Sequence, residues 1–291
     1  QPSIDTSLRG LLYVELKLQT ADHDLHSGLF GGIAINPAIE LARIVSLLKD
    51  ANGKIAIPGF YDRVEPVSPK ALADAQALGT SAEKLMEEGQ FYAISDENVG
   101  ESLNKRRWYL PTLDVNGFKS GFQGEGPKTI IPKEASAKIS TRLVPRQDPG
   151  EIYELLEAYL PTVIPKGVKF ELVKHADALP YVAPTDHRVF SLMEQSLQKA
   201  YGVKPVYTGV GGTIGFIPVL SRELGNVPCI MVGFALPDCN MHGPNENLDL
   251  KTFTQGVEAM VDYYKNLPPS RSTKGTKGRS FDRAAQCSRN C

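Results

Sequence analysis

Between Leu11 and Thr20 the chain alternates. Leu12, Val14, Leu16 and Leu18 fall on one side, Tyr13, Glu15, Lys17 and Gln19 on the other. That is the period of a half-buried antiparallel strand. Asn36-Pro37 then predicts a helix start, with Asn as cap and Pro in the first turn. Leu41, Ile44, Val45 and Leu48 form its apolar stripe and Gly53 is the predicted stop. Residues 54–108 are less regular, with room for one or two helices over Ala71–Glu88. Thr112–Val115 reads as a short strand. Glu134–Val144 reads as a longer one, with Ala135, Ala137, Ile139, Thr141 and Leu143 on one face. Asp148-Pro149-Gly150-Glu151 resembles a capping box ahead of Ile152, Leu155, Leu156 and Tyr159. Val168, Phe170 and Leu172 alternate in a last strand. Strand, helix, insert, strand, strand, helix, strand is the split βαβ, ferredoxin-like order, here over about residues 10 to 175.

Ala176–Thr185 contains Pro180 and Pro184 and reads as a hinge. Beyond it the pattern is α/β. A helix is predicted over Asp186–Tyr201, a short strand at Pro205–Tyr207, then a glycine loop and a helix over Phe216–Leu224. The apolar run Val227–Phe234 suits a strand buried on both faces. Asp249 caps a last helix with Leu250, Phe253, Val257, Met260, Val261 and Tyr264 predicted inward. Two strands are too few for a free-standing α/β sheet, so this segment reads as the closing part of a domain. Residues 268–291 hold six Lys or Arg and one Asp without apolar periodicity, the composition of a disordered basic tail.

Composition narrows the classes. Of 291 residues, 32 are Lys or Arg and 33 Asp or Glu, a net charge of -1. That balance gives no global attraction to nucleic acid or to an anionic membrane. No apolar run approaches the ~18–20 residues of a membrane span. Gln1-Pro2-Ser3-Ile4-Asp5 lacks Met and the layout of a signal peptide, and reads as a cut end. Four cysteines exclude a disulfide scaffold. Cys229, in an apolar run, suits a buried free thiol in a reducing compartment, and the expected location is the cytoplasm. Cys287 and Cys291 are at most half a zinc site.

Three loops could carry chemistry. His23, Asp24, His26 and Ser27 follow the first strand, ahead of Gly28, Gly31 and Gly32. Function concentrates in such loops, although the same residues also make an ordinary polar turn. A Ser-His hydrolase reading fails because the chain has no G-x-S-x-G elbow. Gly209-Val210-Gly211-Gly212-Thr213-Ile214-Gly215 invites a dinucleotide reading, but the third fingerprint glycine falls on Ile214. The better statement is an anion held by backbone N–H groups and Thr213 near a helix start. His242 follows the Val227–Phe234 run, where ligands bind in open α/β sheets. His175, His187 and Trp108 read as structural or surface residues.

Asp24-Leu25-His26-Ser27-Gly28 with Phe30-Gly31-Gly32, Lys128-Thr129-Ile130-Ile131-Pro132, Thr141-Arg142-Leu143-Val144-Pro145, Gly211-Gly212-Thr213 and His242-Gly243-Pro244-Asn245-Glu246 resemble, in order, the M20 metallopeptidases. The nearest branch is the cytosolic nonspecific dipeptidase and carnosinase group. The resemblance implies α/β plus α+β architecture. A ferredoxin-like lid that dimerises (8–178) would precede the C-terminal part of a zinc-peptidase α/β catalytic domain (179–266) and the basic tail (267–291).

It also implies roles. His242 would be a metal ligand. His26 would reach into the partner subunit's site and stabilise the oxyanion, with Thr129 near substrate from the same partner. Arg142 would hold the substrate carboxylate, a task suited to a planar guanidinium. Gly211, Gly212 and Thr213 would line that end. Two zinc ions, with manganese as the alternative, would supply metal-assisted hydrolysis of dipeptides or short peptides. The family's first catalytic segment, which carries the H-x-D ligand motif, the bridging Asp and the general-base Glu, has no counterpart in this sequence. The chain is therefore expected to be inactive alone, as part of a homodimeric enzyme. The alternative is a non-catalytic dimerising module that pairs with a full-length homologue. RNA binding is disfavoured, since Glu134–Val144 contains no aromatic residue.

Overall fold

The computed structural model describes residues 1–236 and 238–268. In chain order the elements begin with β1 (Ser3–Leu8), β2 (Gly10–Gln19), β3 (Leu25–His26), α1 (Ser27–Phe30) and α2 (Pro37–Leu47). Next come α3 (Pro69–Ala77), α4 (Ala82–Gly89), α5 (Leu103–Tyr109), β4 (Thr112–Ser120), β5 (Ile130–Ile131) and β6 (Glu134–Leu143). They end with α6 (Pro149–Val163), β7 (Lys169–Ala178), β8 (Tyr181–Val182), α7 (Arg188–Tyr201), β9 (Val206–Val210), α8 (Phe216–Glu223) and α9 (Leu250–Asn266).

The four-stranded antiparallel sheet runs β4-β6-β2-β7. Its first and third strands, β2 and β6, lie side by side in the centre, as the ferredoxin-like order requires. Leu12, Val14, Leu16 and Leu18 all point into one core. They meet Leu41, Ile44 and Leu48 at the α2 end and Ile152, Leu156 and Leu160 of α6. Asn36 caps α2 by accepting from the Ala38 N–H, and Asp148 caps α6 by accepting from Gly150 and Glu151. The expected return half of the α6 capping box is not made, because Glu151 pairs with Arg63. Helix α2 ends at Leu47, well before Gly53. The insert holds two helices over 69–89, as allowed, plus α5. Buried Gln147 ties the insert down: it donates to the Phe60 carbonyl at 2.8 Å and accepts from the Val144 N–H at 2.9 Å.

The second sheet is β8-β1-β9. Strand β1 was not foreseen in the sequence; it pairs parallel with β9 and antiparallel with β8. Ile4 and Leu8 pack there with Phe190, Met193 and Leu197 of α7 and Ala259 and Tyr263 of α9. Half of the segment expected as a hinge is strand, since β7 runs to Ala178 and β8 covers Tyr181–Val182.

Two expectations fail here. Val227–Phe234 forms no strand; its one ladder contact is a bridge between Met231 and Asp5. Pro228 has no N–H to give, and of β1 only Asp5 meets the segment, its N–H donating to the Met231 carbonyl at 2.9 Å. Helix α9 is also turned from its predicted face. Of the predicted stripe Met260 does pack against this core, beside inward Gly256, Ala259 and Tyr263, whereas Leu250, Phe253, Val257, Val261 and Tyr264 are exposed. The cause is closeness: a Cβ on Gly256 would stand 2.5 Å from the Phe234 ring, so the small-residue face takes the inside position. Cys229 is half-buried, and Cys239 is the buried free thiol among the described residues. The basic tail, Cys287 and Cys291 lie outside the described residues.

Candidate functional site

The sequence-predicted residues gather in two places, at opposite ends of the four-stranded sheet. Glu134 and Arg142 lie eight residues apart on β6, about 27 Å along an extended strand.

The first place is a two-stranded ribbon. His26 pairs with Ile130 and Leu25 with Ile131. Ser27 donates through its hydroxyl to the Thr129 carbonyl at 3.0 Å, and Asp24 accepts from the Lys133 N–H at 3.1 Å. His26 and Thr129 are therefore neighbours, and both are exposed. His26 has a defined orientation, because its Nδ1 accepts the Gly28 N–H at 3.0 Å as the cap of α1. In a neutral ring the proton then sits on Nε2, which faces away as a donor. Gly28 permits this, since a Cβ there would stand 2.9 Å from the imidazole Cε1. Around the ribbon Leu29, Ile33, Ile35 and Ile39 are exposed, Ile33 to 82%. Gly31, Gly32 and Asn36-Pro37 separate these apolar residues, which follow the histidine in sequence.

The second place lies where β2, β6 and the glycine loop after β9 converge. Arg142 points off the core face of β6 and donates from Nη1 to the Thr213 hydroxyl at 2.7 Å. The Thr213 hydroxyl in turn donates to the Arg9 carbonyl at 2.7 Å. Arg9 donates through Nε to the Gly211 carbonyl at 2.8 Å and through Nη1 to the Leu110 carbonyl at 3.1 Å. Its backbone N–H reaches the Gly212 carbonyl at 3.1 Å. Burial and the positive charge of Arg142 lower the Arg9 guanidinium to about 10, with Asp114 acting in the opposite direction. Two guanidinium groups thus sit beside three loop residues, an arrangement that favours an anion.

Arg142, Gly211, Gly212 and Thr213 are brought together as the sequence suggested. Arg9 was not singled out, although one charge between Leu8 and Leu11 at a strand start is a visible signal. The loop lies near a helix start as expected, since α8 begins at Phe216, three residues after Thr213, with Gly215 as its cap.

His242 is exposed, with φ at +61°. No group of three or more His, Cys, Asp or Glu among the described residues could hold a metal ion. The donors present therefore do not fit a dinuclear zinc site, nor a mononuclear one. No described helix is long and apolar enough to cross a membrane. His175 contacts Glu15 at 3.2 Å, and His187 caps α7. Trp108 is buried beneath the Arg107 guanidinium. All three serve packing or surface contacts.

The peptidase dimerisation domain of the M20 family matches residues 6–168. The Cys-Gly metallodipeptidase of Candida albicans is 30% identical over 268 residues, which are 90% of this chain and 54% of that protein. An M20 metallo-carboxypeptidase from Sulfolobus solfataricus superposes with a TM-score of 0.82 at 31% identity, covering 91% of this chain and 60% of that one. A dipeptidase from Saccharomyces cerevisiae superposes at 0.76 and 28% identity, covering 90% and 55%. The chain spans about half the length of the curated relatives it matches. With the ferredoxin-like sheet, the ordered motifs and this match over residues 6–168, the chain belongs to the M20 peptidase family.

Proposed function

We propose that this chain supplies the dimerising lid and the carboxylate-binding end of a metal-dependent dipeptidase. The observation that carries the reading is the Arg142–Thr213 contact beside the glycine loop. A peptide's terminal carboxylate would meet a charged planar fork and an ordered hydroxyl there, a charge-assisted pairing worth about 1.5–3 kcal/mol. Domain limits of 8–178, 179–266 and 267–291 follow the same reading.

The ribbon supports pairing of two copies. His26 and Thr129 sit at the far end of the sheet from Arg142, so one protomer does not unite them at a single substrate. A partner turned end for end would bring its His26 to the Arg142 end. Leu29, Ile33, Ile35 and Ile39 offer apolar surface for that contact. In the assembled site, Nε2–H of His26 would donate to the oxyanion that forms when the peptide carbonyl is attacked, with Thr129 beside the substrate. A metal, if the whole protein holds one, would supply Lewis-acid polarisation and a nucleophilic water at neutral pH. Of this chain's described residues His242 alone would join it, and the remaining ligands would come from outside them. By the resemblance of the ordered motifs, that metal would be zinc, as two ions, with manganese as the alternative. A cytoplasmic location suits the free thiols Cys229 and Cys239.

A second reading is favoured by one observation: the described residues lack a set of metal ligands. The chain would then be a non-catalytic module that pairs with a full-length homologue. Dipeptide hydrolysis by the intact native protein, measured with and without a chelator, separates the two. Chelator-sensitive hydrolysis supports the enzyme. No hydrolysis after metal addition, combined with co-sedimentation with the homologue, supports the module.

A further inference from the structure

We propose that Arg9 is a positioning residue: its guanidinium clamps the glycine loop to the junction of the two sheets and so fixes Thr213 as the acceptor for Arg142. The inference deepens the carboxylate-binding reading and rests on it.

Arg9 occupies the single position between β1 and β2, where the chain passes from one sheet to the other. From there it makes contacts in two directions. Toward the loop it engages Gly211 through the side chain and Gly212 and Thr213 through the backbone. Toward the insert it engages the Leu110 carbonyl at the end of α5. A rigid fork can satisfy two carbonyls in fixed directions at once, whereas a lysine ammonium is a point charge on a flexible stem. The loop is shaped to the clamp. A Cβ on Gly211 would lie 2.5 Å from the Arg107 carbonyl oxygen and 3.0 Å from Arg9 Nη2.

The arrangement carries a cost, which argues that it does something. A half-buried cation is held beside a second cation, Arg142, with only Asp114 opposing the pair, and both its side-chain acceptors are neutral carbonyls. A purely structural tie between loop and junction needs no charge. A site that must receive an anion gains from one, because the excess positive field persists until the ligand arrives. Arg9 itself keeps its hydrogen bonds to the protein. Its effect on the ligand therefore runs through Thr213 and Arg142.

The test uses the full 291-residue chain and the variants Arg9→Lys and Arg9→Met, with circular dichroism to confirm folding. The readout is the rate at which phenylglyoxal modifies Arg142, followed by mass spectrometry of its peptide, with and without glycylglycine as the carboxylate probe. Release of Arg142 from Thr213 is expected to raise its modification rate about fivefold or more in both variants. Exposed Arg222 should react at an unchanged rate. Glycylglycine should slow modification of Arg142 in the wild type and fail to do so in Arg9→Lys, which keeps the charge but not the fork. An Arg142 rate in Arg9→Lys equal to wild type overturns the positioning role. Absence of glycylglycine protection in the wild type, with the rate increase still present, overturns instead the carboxylate reading and leaves Arg9 as the clamp of a site for another anion.

Discussion

Replacing Gly211 by alanine adds one carbon where the structure has no room. That Cβ would stand 2.5 Å from a backbone oxygen, the Arg107 carbonyl, and 3.0 Å from Arg9 Nη2. Arg9 can swing away; a carbonyl built into the end of α5 cannot. To restore an ordinary 3.4 Å contact the loop must retreat by about 0.9 Å, the difference between 3.4 and 2.5 Å. The Arg9–Gly211 hydrogen bond, now 2.8 Å, would then stretch beyond useful length. Overpacking costs about 1–3 kcal/mol, and a hydrogen bond to a charged group is worth about 1.5–3 kcal/mol. Because movement that relieves the first causes the second, the net is about 2–4 kcal/mol, not the full sum. Local opening of the loop should become about 30- to 700-fold more frequent at ~1.4 kcal/mol per decade. Hydrogen exchange followed by mass spectrometry reads this in peptides spanning 206–216, with Leu12–Leu18 in the other core as the internal control. Loop exchange within threefold of wild type would refute the reasoning. So would equal acceleration in both regions, since that would mean global unfolding.

Other outcomes follow from the same geometry. Burial raises the Asp5 carboxyl above its ordinary value, against the opposing hydrogen bond from Thr208. A raised carboxylate pKa means the folded state binds the proton more tightly, so this group's contribution falls as pH rises from 3.8 through the folded value. Asp5→Asn should therefore be more stable than wild type at pH 7 and show a flatter acid profile in urea titrations. A less stable variant at pH 7 would reverse the sign. Gln147→Ala leaves the Phe60 carbonyl and Val144 N–H without partners and should cost about 2–4 kcal/mol by urea unfolding. A loss below 1 kcal/mol would mean that water replaces both bonds. The exposed stripe of Leu250, Phe253, Val257 and Val261 on α9 predicts that the chain expressed alone self-associates as its concentration rises. Polar replacement of these four should raise its solubility limit, and a wild-type chain that stays monodisperse at high concentration would count against the prediction.

The ferredoxin-like half was legible because its signals are local. Alternation in Leu12–Leu18 and Ala135–Leu143 and the caps Asn36 and Asp148 act within a few residues, and the structure uses each of them. The other half depends on partners distant in sequence. Val227–Phe234 has a single bridge, to Asp5 far away in sequence, so an apolar run that looks like a strand lies alongside as irregular chain. The apolar pattern of α9 was read correctly as amphipathic but assigned to the wrong side. Periodicity marks the wider apolar stripe, while close packing against Phe234 selects the one with Gly256 and Ala259. Arg142 and Thr213 emerged as residues but not as a contact. Arg9 became visible only once the fold placed residues 9 and 211 together.

The central claim is that Arg142, held by Thr213, takes a peptide's terminal carboxylate. Its most direct measurement is the steady-state KM of the intact native protein and its Arg142→Met variant for a dipeptide and for the same dipeptide as its C-terminal amide. The account predicts that the wild type prefers the free carboxylate and that Arg142→Met raises KM for it by about 10- to 100-fold, the loss of a charge-assisted pairing. The KM for the amide should barely change, so the variant no longer distinguishes the two. A variant that keeps the wild-type preference for the free carboxylate would contradict the account.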